Sequence, residues 1–218
     1  MSNEIWLYDA NGTRMTLLES VIAFAYARVV NGVGAFSLTL PSTFQDNTLF
    51  AGGSIVQIDG RVEFWRDGRL RMAGLIRKMN YADDANGLTT LVVSGVDMND
   101  LLRRRIVAYA SGTAQASKSG YADDVIKAIV RENLGASAVA ARTLTGAGLT
   151  VAADVGLAPT MEKGFSWRNV YDVLKEIADS AATAGTPLYF DIVPLVGLTA
   201  TTFEFRTYIT RRGLDHSY

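Results

Sequence analysis

Residues 1–95 are cut into short alternating apolar segments by closely spaced turn signals, and no other feature restricts the fold of this chain as strongly. Asp9-Ala10-Asn11-Gly12 separates Ile5 and Leu7 from Met15 and Leu17, and Asn-Gly supplies the positive-φ positions of a tight hairpin. Asn31-Gly32, Gly34, Gly52-Gly53, Asp59-Gly60, Asp67-Gly68 and the polar turn 83–87 continue the series. Between them lie strand candidates with a period of two: Phe36, Leu38 and Leu40 up to Pro41, then Ile55–Ile58, Arg61–Trp65, Leu70 through Tyr81, and Leu88–Ser94. In Ile22–Val29 the large residues fall on one face and alanines on the other. That pattern predicts a strand with one face on a core and the other against a close-packed neighbour. Short strands so punctuated predict an antiparallel barrel or sandwich rather than a parallel α/β sheet.

The periodicity changes after residue 95. Asp97 is a cap candidate for a short helix through Leu101, Leu102 and Arg105, with Asp100 near its positive end. A Gly/Ser/Ala/Lys loop (111–120) precedes a helix over 121–134 with an apolar stripe of Val125, Ile126, Ile129, Val130 and Leu134, closed by Gly135. Residues 136–160 hold one or two weak strands or a loop. A second helix spans 166–184, with Ser166 as N-cap candidate and Gly185 ending it. Strands return after Pro187. The expectation is an α+β, mainly β chain: a β-barrel domain over 1–95, a small α/β insertion over 96–186 with its two main helices, and return strands over 187–218 that complete or start a second β domain.

The chemistry-bearing residues are few. The chain has no cysteine, which excludes disulfides, thiolate catalysis and Cys-ligated metals. Its single histidine, His216, sits in a polar tail with no partner for a metal site or a triad and reads as a surface residue. Asp83-Asp84 lies on a turn and Asp123-Asp124 at a helix start, where acids favour the dipole; neither forms the facing pair that glycoside hydrolysis needs. Gly32-Val33-Gly34 is followed by a strand instead of a helix N-terminus, so it reads as a turn and not as a phosphate loop. Arg103-Arg104-Arg105 has no neighbouring aromatic platform in sequence and fans out around a helix; one arginine is expected in a salt bridge and the others in solvent. Trp6, Trp65 and Trp167 are scattered, unlike a carbohydrate-binding cluster, and read as core or interface residues. No catalytic, cofactor-binding or metal residue is assigned, and the chain is expected not to be an enzyme.

The net charge of −1 recommends no strongly charged partner, and no apolar run is long enough to predict a transmembrane helix. The N-terminus lacks the basic and apolar regions of a signal peptide, so folding in a bacterial cytoplasm is expected.

Several segments, taken in order, resemble one family. Gly95-Val96-Asp97 with Leu101-Leu102 and Arg105 is similar to the Gly-x-Asp…Leu-Leu-x-x-Arg segment of siphophage baseplate-hub or tail-tip (tail-associated) proteins. Phe165-Ser166-Trp167-Arg168-Asn169-Val170 with Phe190-Asp191-Ile192 resembles that family's Ser-Trp-x-x-Val helix and following strand. Phe203–Tyr208 with Arg211-Arg212-Gly213-Leu214-Asp215 resembles its closing strand and Arg-Gly-x-Asp turn, and Phe36-Ser37-Leu38 and Ile55–Ile58 match its early strands. Family members usually continue past that turn, whereas this sequence stops at Tyr218, as a fragment, a shortened homologue or a sequence whose continuation is not recorded would. The resemblance implies barrel domains with a small α/β insertion, and a homotrimeric hub of a virion tail tip that mimics six-fold symmetry. It further implies partners in the tail tube or distal tail and the tape-measure protein, with DNA only as cargo through the lumen and no membrane binding. A distal-tail or tube-like ring protein is the alternative, followed by an envelope-degrading enzyme or carbohydrate-binding module.

Overall fold

The computed structural model describes residues 2–41, 56–83, 87, 89–108, 112–195 and 202–209. The chain divides into two compact units, Met1–Asn99 with Pro194–Thr201, and Asp100–Val193 with Thr202–Tyr218.

The first unit is one antiparallel sheet. Its strands are β1 (Asn3–Tyr8), β2 (Arg14–Leu17), β3 (Ala23–Ala27), β4 (Ala35–Pro41), β5 (Arg61–Arg66), β6 (Arg69–Asp83) and β7 (Thr89–Asp97), in the order β2-β1-β5-β6-β7-β4-β3. Local chemistry sets the turns. Asp9 Oδ1 accepts from the backbone N–H groups of Asn11 (2.9 Å) and Thr13 (2.7 Å), and Gly12 takes a φ of 85°. Asp67 and Gly68 are both at positive φ, 51° and 69°, which matches the twist of the β5–β6 hairpin. The expected strand Ile55–Ile58 does not form over its described part, 56–58. The Gly60 N–H closes a turn on the Gln57 carbonyl instead, and Asp59 and Gly60 exchange hydrogen bonds with Ile76.

The sheet curls hard. In strand order β3 lies four places from β5, about 19 Å across a flat sheet at ~4.8 Å per strand. Yet the rings of Tyr26 and Phe24 on β3 lie 5.3 and 6.0 Å from that of Phe64 on β5. Phe64 also meets Phe36 at 5.4 Å, and around this aromatic centre Leu7, Leu38, Leu40, Val62, Ile76, Leu91 and Val93 are buried. Glycine at 74 and 95 makes room for Phe36: a Cβ at either position would stand 2.7 and 2.6 Å from its ring.

The expected barrel is corrected to a curled open sheet, because no ladder joins β2 to β3 among the described residues. The reason lies in the connection between them. The Leu18 N–H bonds to Ile5 and the Ile22 N–H to Thr39, so each end of the linker continues the ladder of its own side.

The second unit contains α1 (Asp100–Arg103), β8 (Ala116–Tyr121), α2 (Ala122–Asn133), β9 (Leu149–Val151), β10 (Thr160–Phe165), α3 (Val170–Thr183), β11 (Leu188–Leu195) and β12 (Thr202–Ile209). β8 and β10 pair antiparallel, while β12 lies between β11 and β9 and runs parallel to β9. The expected loop 111–120 thus contains a strand, drawn out of small polar residues by its partner Thr160–Phe165. Of the strands after Pro187, β12 pairs with both β9 and β11, and β11 belongs to this unit as far as Val193. Val125, Ile126, Ile129 and Val130 of α2 and Val170, Val173, Leu174 and Ile177 of α3 are buried with Phe190 and Phe205, whose rings stack at 6.2 Å. α3 starts later than Ser166 predicts. Asn169 is its cap and accepts from the Tyr171 N–H at 2.9 Å, because residues 168–170 are committed to backbone bonds with 105 and 107.

Candidate interaction edge

The strand expected to have a close-packed neighbour on its alanine face has none among the described residues of this chain. Phe24 and Tyr26 turn inward to Phe64, while Ala23, Ala25 and Ala27 are exposed on the outside of β3. β4 occupies one side of β3; along the other runs no described strand. Around it Ile22 (54%), Val29 (48%) and Val30 (58%) are also solvent-exposed. Folded proteins protect such edges with lysine, proline or a bulge, yet Val21–Ala27 contains no charge, no proline and no register shift against β4. Chemically the edge offers backbone donors and acceptors in line, with side chains small enough to admit another strand.

A polar clamp holds this edge in place. Asp97 at the end of β7 accepts from the Gly34 N–H at 2.7 Å and from the Asn99 N–H at 3.1 Å. Asn99 Nδ2 donates to the Gly32 carbonyl at 2.8 Å. A Cβ on Gly34 would stand 2.7 Å from Asp97 Oδ2 and 2.3 Å from the Ala27 carbonyl oxygen. Asp97 was expected to cap a helix; it binds the β3–β4 connection instead, and the helix begins at Asp100. Gly32 closes a turn on the Val29 carbonyl, as its sequence context predicts, and Gly34 lies between that turn and β4.

The first unit also holds a buried polar cluster. Glu63 on β5 is fully buried, and its Oε2 accepts from Tyr8 Oη (2.8 Å) and Trp65 Nε1 (3.1 Å). The Arg61 guanidinium lies 4.5 Å from the Tyr8 ring, and burial lowers its pKa against the opposing pull of Glu63. No sequence signal marks Glu63, since alternation with Val62 and Phe64 places it on a face expected to meet solvent.

The remaining singled-out residues resolve as follows. Asp123 and Asp124 do not face a cleft. Asp123 is buried against Lys127 Nζ (3.4 Å) and receives the Leu157 and Ala158 N–H groups; Asp124 receives those of Val155 and Gly156 and also meets Lys127 (3.3 Å). Partial burial alone would raise the Asp124 pKa, but the two backbone N–H groups and Lys127 hold it below the usual carboxylate value. Asp83 accepts from Thr89 Oγ1 at 2.6 Å; Asp84 and His216 lie outside the described residues, as do Arg211–Asp215. Arg104 pairs with Asp100 at 3.1 Å, and Arg103 lies over the Tyr171 ring. Trp6 and Trp65 are partly buried and donate to Glu4 and Glu63, whereas Trp167 is 67% exposed and so is not a core residue. A shallow cavity of about 380 Å³ beside Gln115 and Arg142 is bordered by Lys118 and Glu132, which pair with each other. No cluster of three metal-binding side chains occurs among the described residues, and none of their helices is long and apolar enough to cross a membrane.

The fold is similar to those of tail proteins of known structure. The chain aligns with the tail protein from Neisseria meningitidis MC58 at a TM-score of 0.53 and 12% identity, over 94% of this chain and 50% of that one. It aligns with the 43 kDa tail protein of prophage MuSo2 from Shewanella oneidensis at a TM-score of 0.54 and 15% identity, over 93% of this chain and 54% of that one. It therefore spans about half the length of both. Residues 4–194 match the Siphovirus ReqiPepy6 Gp37-like protein family, and the chain belongs to that family. No curated protein matches the sequence.

Proposed function

We propose that the protein is a structural component of a phage tail tip, a baseplate-hub-like subunit that joins the tail tube to the tip by assembling into a ring. The observation that carries this reading is β3. Its alanine face and open backbone edge have the composition of a buried strand but no covering strand among the described residues, and a second copy supplies one. Family membership and the tail-protein fold support the setting. In the assembled virion three copies surround the lumen through which DNA passes, the inter-subunit strands complete the barrel, and the tail tube and tape-measure protein are the neighbours.

Mass photometry and negative-stain microscopy test it. The chain is expected to form trimers or rings, and Ala25→Lys, which places a charge on the open edge without touching the aromatic core, is expected to return it to monomers with an unchanged circular-dichroism spectrum. A six-copy ring assigns the protein to the distal tail or tube. A monomer at high concentration contradicts ring assembly by this chain.

A further inference from the structure

The three consecutive arginines lack an aromatic neighbour in sequence, but the second unit brings one to them. Arg105–Val107 leaves α1 in extended form and pairs with the segment before α3. The Val107 N–H donates to the Arg168 carbonyl and the Val170 N–H to the Arg105 carbonyl, both at 2.8 Å, and Asn169 Nδ2 donates to the Arg103 carbonyl at 2.6 Å. These bonds set Asn169 opposite Ile106 and Arg168 opposite Val107, with Trp167 the next residue along the same segment. Arg142 joins from the other side, donating to the Ile106 carbonyl and to Asn133 Oδ1.

Three properties set this cluster apart. Trp167 is 67% exposed and Ile106 41%, two large apolar side chains presented to solvent on a stretch pinned by backbone bonds. Trp167 has a φ of +52°, a conformation that a bulky L-residue rarely adopts and that needs a surrounding structure to maintain it. Positive charge is in excess. Arg104 is paired with Asp100 and Arg168 with Glu176, but no carboxylate among the described residues pairs with Arg103, Arg105 or Arg142. Arg103 lies over the Tyr171 ring at 4.7 Å, while burial and the proximity of Arg105 both lower the Arg142 pKa, a sign of like charges held close.

We propose that this Trp167–Ile106 platform with Arg103, Arg105 and Arg142 is a docking site for a carboxylate-rich segment of a separate protein. Tryptophan and arginine are the residue types that dominate protein–protein binding energy, and guanidinium groups match carboxylates in planar geometry. The composition disfavours nucleic acid. Asp100 and Glu176 stand within the same cluster and break its positive charge into separate points, which suits the spaced carboxylates of a peptide better than a continuous phosphate backbone. The site is independent of β3 and of ring assembly.

The test uses the full chain and a fluorescein-labelled peptide of alternating glutamate and tyrosine, followed by anisotropy. Its carboxylates can meet the arginines and its rings the tryptophan. Saturable binding is expected, weakened by salt, with Trp167→Ala and the double change Arg105→Ala/Arg142→Ala each lowering affinity by about tenfold or more. Because Trp167 is exposed and strained, Trp167→Ala is expected to fold normally by circular dichroism; Trp167→Gly, which relieves the backbone, serves as a second variant. The proposal is overturned if the peptide does not bind, if both variants bind it like the parent, or if oligothymidylate of equal length binds more tightly. A changed oligomeric state in Trp167→Ala, read by mass photometry, overturns it in favour of self-association. Loss of ring formation in Ala25→Lys with peptide binding intact supports the site and its independence of ring assembly, whereas loss of peptide binding in Ala25→Lys overturns that independence.

Discussion

Removing the Asp97 carboxylate tests whether the Gly-x-Asp segment acts as the clamp on the exposed edge. In Asp97→Ala the N–H groups of Gly34 and Asn99 lose a charged acceptor held at 2.7 and 3.1 Å. At ~1.5 kcal/mol for each hydrogen bond to a charged group, the first unit is destabilised by about 3 kcal/mol. With an m-value of ~2 kcal/mol/M in urea, its midpoint falls by about 1.5 M. The three tryptophans give a clean probe: in a Trp167→Phe background only Trp6 and Trp65 remain, and both belong to the first unit. Asp97→Asn retains one acceptor and is expected to fall between the parent and the alanine variant. A midpoint for Asp97→Ala within about 0.3 M of the parent, equivalent to ~0.6 kcal/mol, would refute the clamp.

Other outcomes follow from the buried polar groups. Tyr8→Phe removes the 2.8 Å bond to buried Glu63 and is expected to cost about 1.5–3 kcal/mol in the same urea assay. Lys127→Met leaves Asp123 and Asp124 without their shared cation and is expected to destabilise the second unit by about 3 kcal/mol, read by Trp167 fluorescence in a chain with Trp6 and Trp65 changed to Phe. The Asp124 carboxyl has a folded pKa below its ordinary 3.8, so its contribution to stability is complete above the unfolded value and is lost as pH falls through the folded one. Urea midpoints measured from pH 6 downward are expected to drop below about pH 4, and Asp124→Asn to lessen that drop.

Much of the element order was legible because local chemistry dictates it. Gly12, Asp67 and Gly68 take the positive φ that Asn-Gly and Asp-Gly turns favour, and the stripe Val125, Ile126, Ile129, Val130 can bury one face only as a helix. Ala116–Tyr121 was not legible as a strand, since Ala-Ser-Lys-Ser-Gly has little strand preference and extends only because Thr160–Phe165 pairs with it. The start of α3 was misplaced for the same kind of reason. Ser166 is a sound cap by type, yet the backbone at 168–170 is committed to residues distant in sequence. Glu63 was illegible because a period of two distinguishes faces but does not say whether the second face is covered.

By itself the sequence determined that Ile22–Val29 contains a strand with an aromatic face and an alanine face, since period-two alternation follows from the geometry of an extended backbone. Only the tertiary structure decided that the aromatic face meets Phe64 across a curled sheet while the alanine face meets no described strand of its own chain. Curl and strand order depend on pairings between distant segments, and a linear pattern of residue types carries no record of which segments pair. The same holds for Trp167 and the arginines. They are neighbours only because Arg105–Val107 and Arg168–Val170 exchange backbone hydrogen bonds, which any residue types there can make.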